Sequence, residues 1–479
     1  MNDVTIKMYV NGQWREGGSG DTMKVIDPGT GKSIGNLCLA NEKDIEECLI
    51  GTQVGFNLWK SLPATKRAET IRRTADIIRN RSKEIAQICT KEQGKPLSQS
   101  LDEMFITAEY LDELAECASQ LHEKTQELVS GIIHRKISYE PLGPIYASSP
   151  WNYPAMMTGR KIATALAAGC SIVMKPSEKT PMTAIKIAEC FLEAGVPDQV
   201  INVIFGHPSI ISKLLIVSPV IRKVSFTGST AIGRRLGGIT GRELKKTTFE
   251  LGGHAPVIVC SDVEVQEVAR LLCINKHLNS GQSCIAPTRF YVHADIMKDF
   301  VTVFVRHAGE LNIGYGLDEE VDMGPLIDKN RIAIMENFIQ DAINKGCRLL
   351  YGGSSIPGPG FFFEPTVLVD VPDHARIMNE EPFGPISMIN SFSHLDEVIE
   401  SANQNPYGLA AYVFTKDSAK GKKIADRLEA GMVGINTMDI ATTTVPFGGV
   451  KSSGYGREST LEGVLECMYS RTISQGASS

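Results

Sequence analysis

Between residues 145 and 260, short apolar stretches alternate with amphipathic ones. Ser171-Ile172-Val173-Met174 is followed by a helical pattern over 183–194. Val200-Ile201-Asn202-Val203-Ile204 precedes another near Ile210, and Val224-Ser225-Phe226 precedes a third that starts beyond Gly228. Strands covered by helices on both faces read as continuous apolar runs, and the crossover helices force the strands parallel. The βαβ rhythm therefore predicts an α/β fold with a mostly parallel sheet. It returns after Val257-Ile258-Val259, with a helix over 263–279 and a strand over 289–292, so a second α/β domain is expected.

The flanking segments read differently. The first fifty residues are extended pieces, with turns at Asn11-Gly12 and Asp27-Pro28-Gly29. Gly29-Thr30-Gly31-Lys32-Ser33 resembles a phosphate loop, but that loop needs a glycine where Ile26 stands, so a plain turn is expected. From 65 to 121 the pattern is helical, with Gly94 and Pro96 as its breakers. Two lone strands, 131–141 and 469–473, either pair with each other or add to another subunit.

Composition narrows the function. A chain of 479 residues, 42% hydrophobic and 22% charged, has material for two or three domains. A net charge of -6 and pI near 5.9 argue against nucleic acid as the main partner. The start lacks a basic n-region and an apolar h-region, and no apolar run approaches a membrane span, so a cytoplasmic location is expected. The eleven cysteines show no CxxC and no Cys/His cluster, which argues against a disulfide framework and against a metal site.

One cysteine stands apart. Cys284 lies in Asn279-Ser280-Gly281-Gln282-Ser283-Cys284, downstream of Glu250-Leu251-Gly252-Gly253. A thiolate is a strong nucleophile and a carboxylate serves as a general base, so the pair suggests covalent catalysis on a carbonyl. Pro150-Trp151-Asn152-Tyr153-Pro154 holds an Asn amide between two prolines, which either donates to an oxyanion or is a plain loop. Lys175-Pro176-Ser177-Glu178 follows a buried strand, where nucleotides bind. There Lys175 can hold ribose hydroxyls, and Glu178 can accept from a 2′-hydroxyl while repelling a 2′-phosphate; Lys179 adds an opposing positive charge. Phe226-Thr227-Gly228-Ser229 lets phosphate approach a helix N-terminus, without the GxGxxG spacing. Glu380-Glu381-Pro382-Phe383-Gly384-Pro385 offers a carboxylate and a ring beside a rigid turn. Residues 446–457 form a long Gly-rich loop.

In this order, these segments resemble the aldehyde dehydrogenase superfamily, and within it the succinate-semialdehyde dehydrogenase-like branch. The resemblance implies two Rossmann-like three-layer domains and a small β oligomerisation element. The NAD(P)-binding domain would span 1–122 and 143–252, the catalytic domain 253–450, and the oligomerisation element 123–142 and 451–479. It implies Cys284 as nucleophile, Glu250 as general base and Asn152 in the oxyanion hole. Trp151, Lys175, Ser177, Glu178, Gly228, Ser229, Leu251, Gly252, Glu381 and Phe383 would hold the cofactor, NAD with NADP as the alternative. Arg160 and Ser283 would face the substrate, a small-molecule aldehyde, and the chain would form a homodimer or homotetramer. Some semialdehyde enzymes of this branch carry an Arg six residues before the nucleophile; Leu278 stands there, which favours a less acidic or bulkier aldehyde. Ala286 replaces the second cysteine that some relatives carry. Three rivals remain: a CoA-acylating enzyme, which needs no base at Glu250; a cysteine hydrolase, for which neither His254 nor His277 lies in a triad-like motif; and a non-catalytic structural protein.

Overall fold

The computed structural model describes residues 4–121, 126–130 and 133–476. Among them the extended reading of the N-terminus holds as far as residue 40. Asn11 and Gly12 both take positive φ and turn the hairpin Met8–Val10 to Gln13–Arg15. At Asn41 a helix begins, Glu42–Lys60, which the extended reading missed. Its signal was present: Asn41 accepts from the Asp44 amide and Asp44 returns the bond, a capping box. The segment 29–33 is a turn in which Thr30 and Gly31 donate to the Asp27 carbonyl.

The helical stretch divides into Ala64–Asn80, Ser82–Gln93 and Leu97–Gln120. Gly94 ends the second helix in the left-handed region and Pro96 starts the third. A further break at Arg81 carries no glycine or proline and was invisible in the pattern. Arg81 instead spends its guanidinium on Glu84 and Glu189.

The βαβ rhythm builds an eight-stranded sheet. Its parallel centre runs Lys246–Glu250, Lys223–Thr227, Ile145–Ser148, Ile172–Lys175, Ile201–Val203. The hairpin Met8–Val10 and Gln13–Arg15 extends one side antiparallel, and Gly454–Tyr455 caps the other. From Ile145–Ser148 the chain winds first to one side and then to the other. The strand order therefore reverses between Ile145–Ser148 and Lys223–Thr227, which opens a crevice beyond their carboxyl ends. Residues 149–152 and 228–229 leave the sheet there.

A seven-stranded sheet follows, in the order Arg348–Tyr351, Thr366–Val369, Ile386–Phe392, Pro287–His293, Ala255–Val259, Ala410–Phe414, Met432–Ile435. Only the first pair is antiparallel. Alternate residues serve separate cores on its two faces: Val257, Val259, Phe290 and Val292 on one, Ile258 and Tyr291 on the other. The chain passes from the carboxyl end of Lys246–Glu250 to the amino end of Ala255–Val259 through residues 251–254 alone. That short joint sets the carboxyl edge of the first sheet against the amino edge of the second.

The two lone strands pair with each other. Met468–Gln475 lies antiparallel to Ile133–Pro141, whose other edge takes Gln126–Ser130. Residues 131 and 132 of the expected strand lie outside the described residues.

Beneath the crevice, Lys95 and Glu103 form a fully buried ion pair of 2.6 Å. Glu103 also accepts from the amides of Ala155 (2.8 Å) and Met156 (3.1 Å), at the first turn of helix Pro154–Ala168. Lys95 donates to the Asn152 carbonyl at 2.8 Å and sits 3.9 Å from the Tyr153 ring centre. Lys95→Met would leave Glu103 uncompensated in the interior, a loss of about 3–5 kcal/mol. A clear fall in the denaturant midpoint of Lys95→Met is expected, and an unchanged midpoint would mean that the pair does not brace this loop.

Candidate active site

Cys284 follows a left-handed turn. Asn279, Ser280 and Gly281 all take positive φ, a costly sequence outside glycine. Hydrogen bonds hold it: Ser280 donates to the Gly324 carbonyl at 2.8 Å, Gln93 to the Asn279 amide oxygen at 2.8 Å, and Gln282 accepts from the Ile327 amide at 2.9 Å. Gly281 has no room for a Cβ, which would strike the Gly384 carbonyl. A Cβ on Gly253 would strike the carbonyl of Cys284. The Cys284 loop thus lies directly on the joint between the sheets, with Cys284 partly exposed.

Asn152 hangs beside it. Its side-chain amide donates to the Gln282 carbonyl at 3.0 Å, and its backbone carbonyl accepts from Lys95 and from the Asn279 side-chain amide at 3.0 Å. Glu250 ends the strand Lys246–Glu250 and is buried, yet neither carboxylate oxygen has a hydrogen-bond partner. The Gly-rich segment 448–449 packs over it; a Cβ on Gly448 would sit 2.9 Å from the Glu250 Oε1.

Cys284, Asn152 and Glu250 line one cavity of about 400 Å³. Trp151, Gly228, Ser229, Leu251, Gly252, Glu381 and Phe383 line the same cavity. Lys175, Ser177, Glu178, Arg160 and Ser283 do not. Lys175 and Glu178 pair with each other at 2.5 Å beyond the sheet edge. Ser177 accepts from the Lys179 amide at 3.2 Å, and Ser283 immediately precedes Cys284. Arg160 is buried and ion-paired with Glu458 at 2.7 Å, between the rings of Tyr110 and Phe447. Its Nε and Nη1 have no hydrogen-bond partner.

Several site groups escaped the sequence reading. Glu458, one residue past the Gly-rich loop, pairs with both Arg160 and Lys161. Despite burial, those two cations hold its carboxyl down to about 2. Arg331 lines the cavity and donates to the Phe383 carbonyl at 2.7 Å. Lys276 is buried with no hydrogen-bond partner; burial pulls it down to about 7, against the opposing charge of Glu381. All three lie far in sequence from the groups they interact with, so no spacing pattern announces them.

The electrostatics favour neutral forms. Burial, then the charges of Glu381 and Glu250, pushes the Cys284 thiol up to about 12, against Arg160. Burial and the neighbouring Glu458 raise Glu250 well above the usual carboxylate range, against Arg160, Lys161 and Arg457. Burial lifts Glu381 to about 7, although its carboxylate accepts from the Gly253 amide at 2.9 Å.

Residues 14–473 match the model of the aldehyde dehydrogenase family. The chain belongs to that family. It is an NAD(P)-dependent oxidoreductase. A 4-(hydroxymethyl)benzenesulfonate dehydrogenase of Comamonas testosteroni is 40% identical over 459 residues, covering 96% of this chain and 95% of that one. A glutarate-semialdehyde dehydrogenase of Pseudomonas aeruginosa is 38% identical, covering 96% of each. The structure of an NAD+ complex of aldehyde dehydrogenase from Bacillus cereus superposes with a TM-score of 0.96 at 32% identity, covering 99% of this chain and 97% of that one. The dehydrogenase fits a dinucleotide by its own residues. Ser229 stands at the N-terminus of helix Thr230–Arg242 without a side-chain cap bond, so a phosphate there meets unspent first-turn N–H groups. Gly252 leaves Glu381 the space that a Cβ would fill.

With Cys284 neutral at ordinary pH, alkylation of the cofactor-free dehydrogenase by iodoacetamide should quicken steadily from pH 7 to 10, since only the thiolate reacts. Glu381→Gln removes a charge that raises the thiol, so it lowers that pKa and should speed alkylation at pH 8. A rate flat in pH, or slowed by Glu381→Gln, would contradict this picture.

Proposed function

We propose that the chain oxidises an aldehyde bearing a distal anionic group to its carboxylic acid, through a thioester on Cys284. The observation that carries this reading is one cavity shared by Cys284, Asn152, Glu250 and the uncapped helix N-terminus at Ser229. The division into a cofactor domain (1–122 and 143–252), a catalytic domain (253–450) and an oligomerisation element (123–142 and 451–479) is part of the proposal. The two large sheets and the separate three-stranded sheet support it, although Gly454–Tyr455 joins the first sheet. A homodimer or homotetramer, and a cytoplasmic location, belong to the same reading; among the described residues no helix is long and apolar enough to cross a membrane.

The Cys284 thiolate attacks the aldehyde carbon. The Asn152 amide and the Cys284 backbone N–H donate to the oxyanion that develops, where one preorganised donor is worth about 3 kcal/mol. When bound, the nicotinamide ring supplies the hydride acceptor. Glu250 then takes a proton from the water that hydrolyses the thioester. Burial raises its pKa, and the higher the pKa, the more strongly its carboxylate draws the proton. Glu381 and Phe383 would meet the nicotinamide half of the dinucleotide, and Ser229 its pyrophosphate. Lys175, Ser177 and Glu178 would hold the adenosine ribose, where the Glu178 carboxylate disfavours a 2′-phosphate and so favours NAD.

The distal anion rests on Arg160. Arg160 stands outside the cavity lining, but two of its nitrogens lack hydrogen-bond partners and it donates to Met157, which lines the cavity; the relatives are named for a sulfonate and a glutarate. Ser283, beside the nucleophile, would border the same substrate. Leu278, 40% exposed, presents apolar surface where a second guanidinium would make the site more acidic-selective, and this favours a longer or aromatic spacer over succinic semialdehyde.

A panel of aliphatic and aromatic aldehydes, with and without a distal carboxylate or sulfonate, tests the reading with NAD and with NADP. The anionic members should show the higher kcat/KM, and Arg160→Met should erase their advantage; equal values for neutral isosteres would remove Arg160 from recognition. Cys284→Ala should lose all turnover. Glu250→Gln should keep a first-turnover burst of reduced cofactor while steady-state turnover falls about 100-fold or more, and a full steady-state rate would exclude Glu250 as the base.

A further inference from the structure

Lys179 stands in the loop after the strand Ile172–Lys175, on the side of the first sheet. Its ammonium ion-pairs with Asp328, across the crevice on the side of the second sheet. Asp328 also caps the helix Lys329–Asn344, accepting from the Arg331 amide at 2.9 Å. The Lys179 Nζ lies 5.6 Å from the centre of the Trp151 ring, and the Arg331 guanidinium 5.7 Å from that of Phe383. Trp151 and Phe383 meet edge to face, 5.5 Å between centres and 89° between planes. Two contacts therefore join the sides, one aromatic and one ionic. Together these five residues close a ring across the cavity, and all but Asp328 line it.

The ionic contact is built to open. The Lys179 and Asp328 side chains are 44% and 24% exposed, so water solvates each as they part. The Arg160–Glu458 pair deeper in the site, at 1% and 7%, would strand two buried charges if it broke. Ser229 and Cys284 line the same cavity as Lys179, Trp151, Arg331 and Phe383.

We propose that the Lys179–Asp328 ion pair is a latch over the cofactor cleft, and that its opening governs how fast the bound dinucleotide leaves. This rests on the cavity being the dinucleotide site. Neither residue performs chemistry; they act through Trp151, Arg331 and Phe383, which border the ligand.

The test is stopped-flow dissociation of NADH and NADPH from the full chain, followed by cofactor fluorescence. Lys179→Met keeps the aliphatic stem over Trp151, and Asp328→Asn keeps the helix cap, so both spare the local fold. Each should speed dissociation about threefold to fivefold, the worth of a partly exposed ion pair. The double variant should be no faster than the faster single one, because both remove the same contact. Raising the salt concentration should bring the unmodified protein toward the variants, since exposed pairs are screened. Lys179→Arg should restore slow release. A merely structural role would lower unfolding temperatures without this salt convergence. Unchanged dissociation rates, or acceleration by Lys179→Met with none by Asp328→Asn, would overturn the latch; the second result would make Lys179 a direct contact to the cofactor phosphates. Failure of the unmodified protein to bind either NADH or NADPH would overturn the site assignment and the latch together.

Discussion

The site depends on three backbone segments meeting at contact distance where the two sheets join. Gly253 admits the carbonyl of Cys284, Gly281 admits the carbonyl of Gly384, and Gly252 admits the carboxylate of Glu381. A Cβ at any of them would collide with backbone or with that carboxylate. This contact brings the carboxyl edge of the first sheet, with Glu250, against the amino edge of the second, with Cys284. Neither sheet alone brings the Cys284 thiol beside the Glu250 carboxyl.

Close packing has an electrostatic consequence. Burial among neighbouring side chains raises the pKa values of Glu250, Glu381 and Cys284 together, which shifts each toward its neutral form. Arg160, Lys161 and Arg457 offset part of this, while Glu458 answers Arg160 and Lys161 directly. The resting site thus favours the neutral thiol, and a cationic ring entering beside Cys284 would shift it toward the thiolate.

Much of this was legible before any coordinates. Continuous apolar runs such as Ile172-Val173-Met174 announced parallel strands, because only buried strands dispense with polar alternation. The segments around Cys284, Glu250, Asn152 and Ser229 were recognisable because turns and helix starts are local, and their glycines and prolines are printed in the chain. The helix at Glu42 was legible too, through Asn41 and Asp44, and was passed over for the extended residues before it. The break at Arg81 was not, since no local residue forces it and its reason lies with Glu189 on another helix.

The sequence by itself determined the class of fold and singled out one cysteine, Cys284, together with the carboxylate of Glu250. Tertiary structure alone decided which charges surround them. Glu458 answering Arg160, Lys161 and the unpartnered Lys276 are separated from the groups they influence by long stretches of chain. So too are Asp328 and Lys179, which meet across the crevice. Charge acts through space rather than along the chain, and only folding brings these groups within its reach.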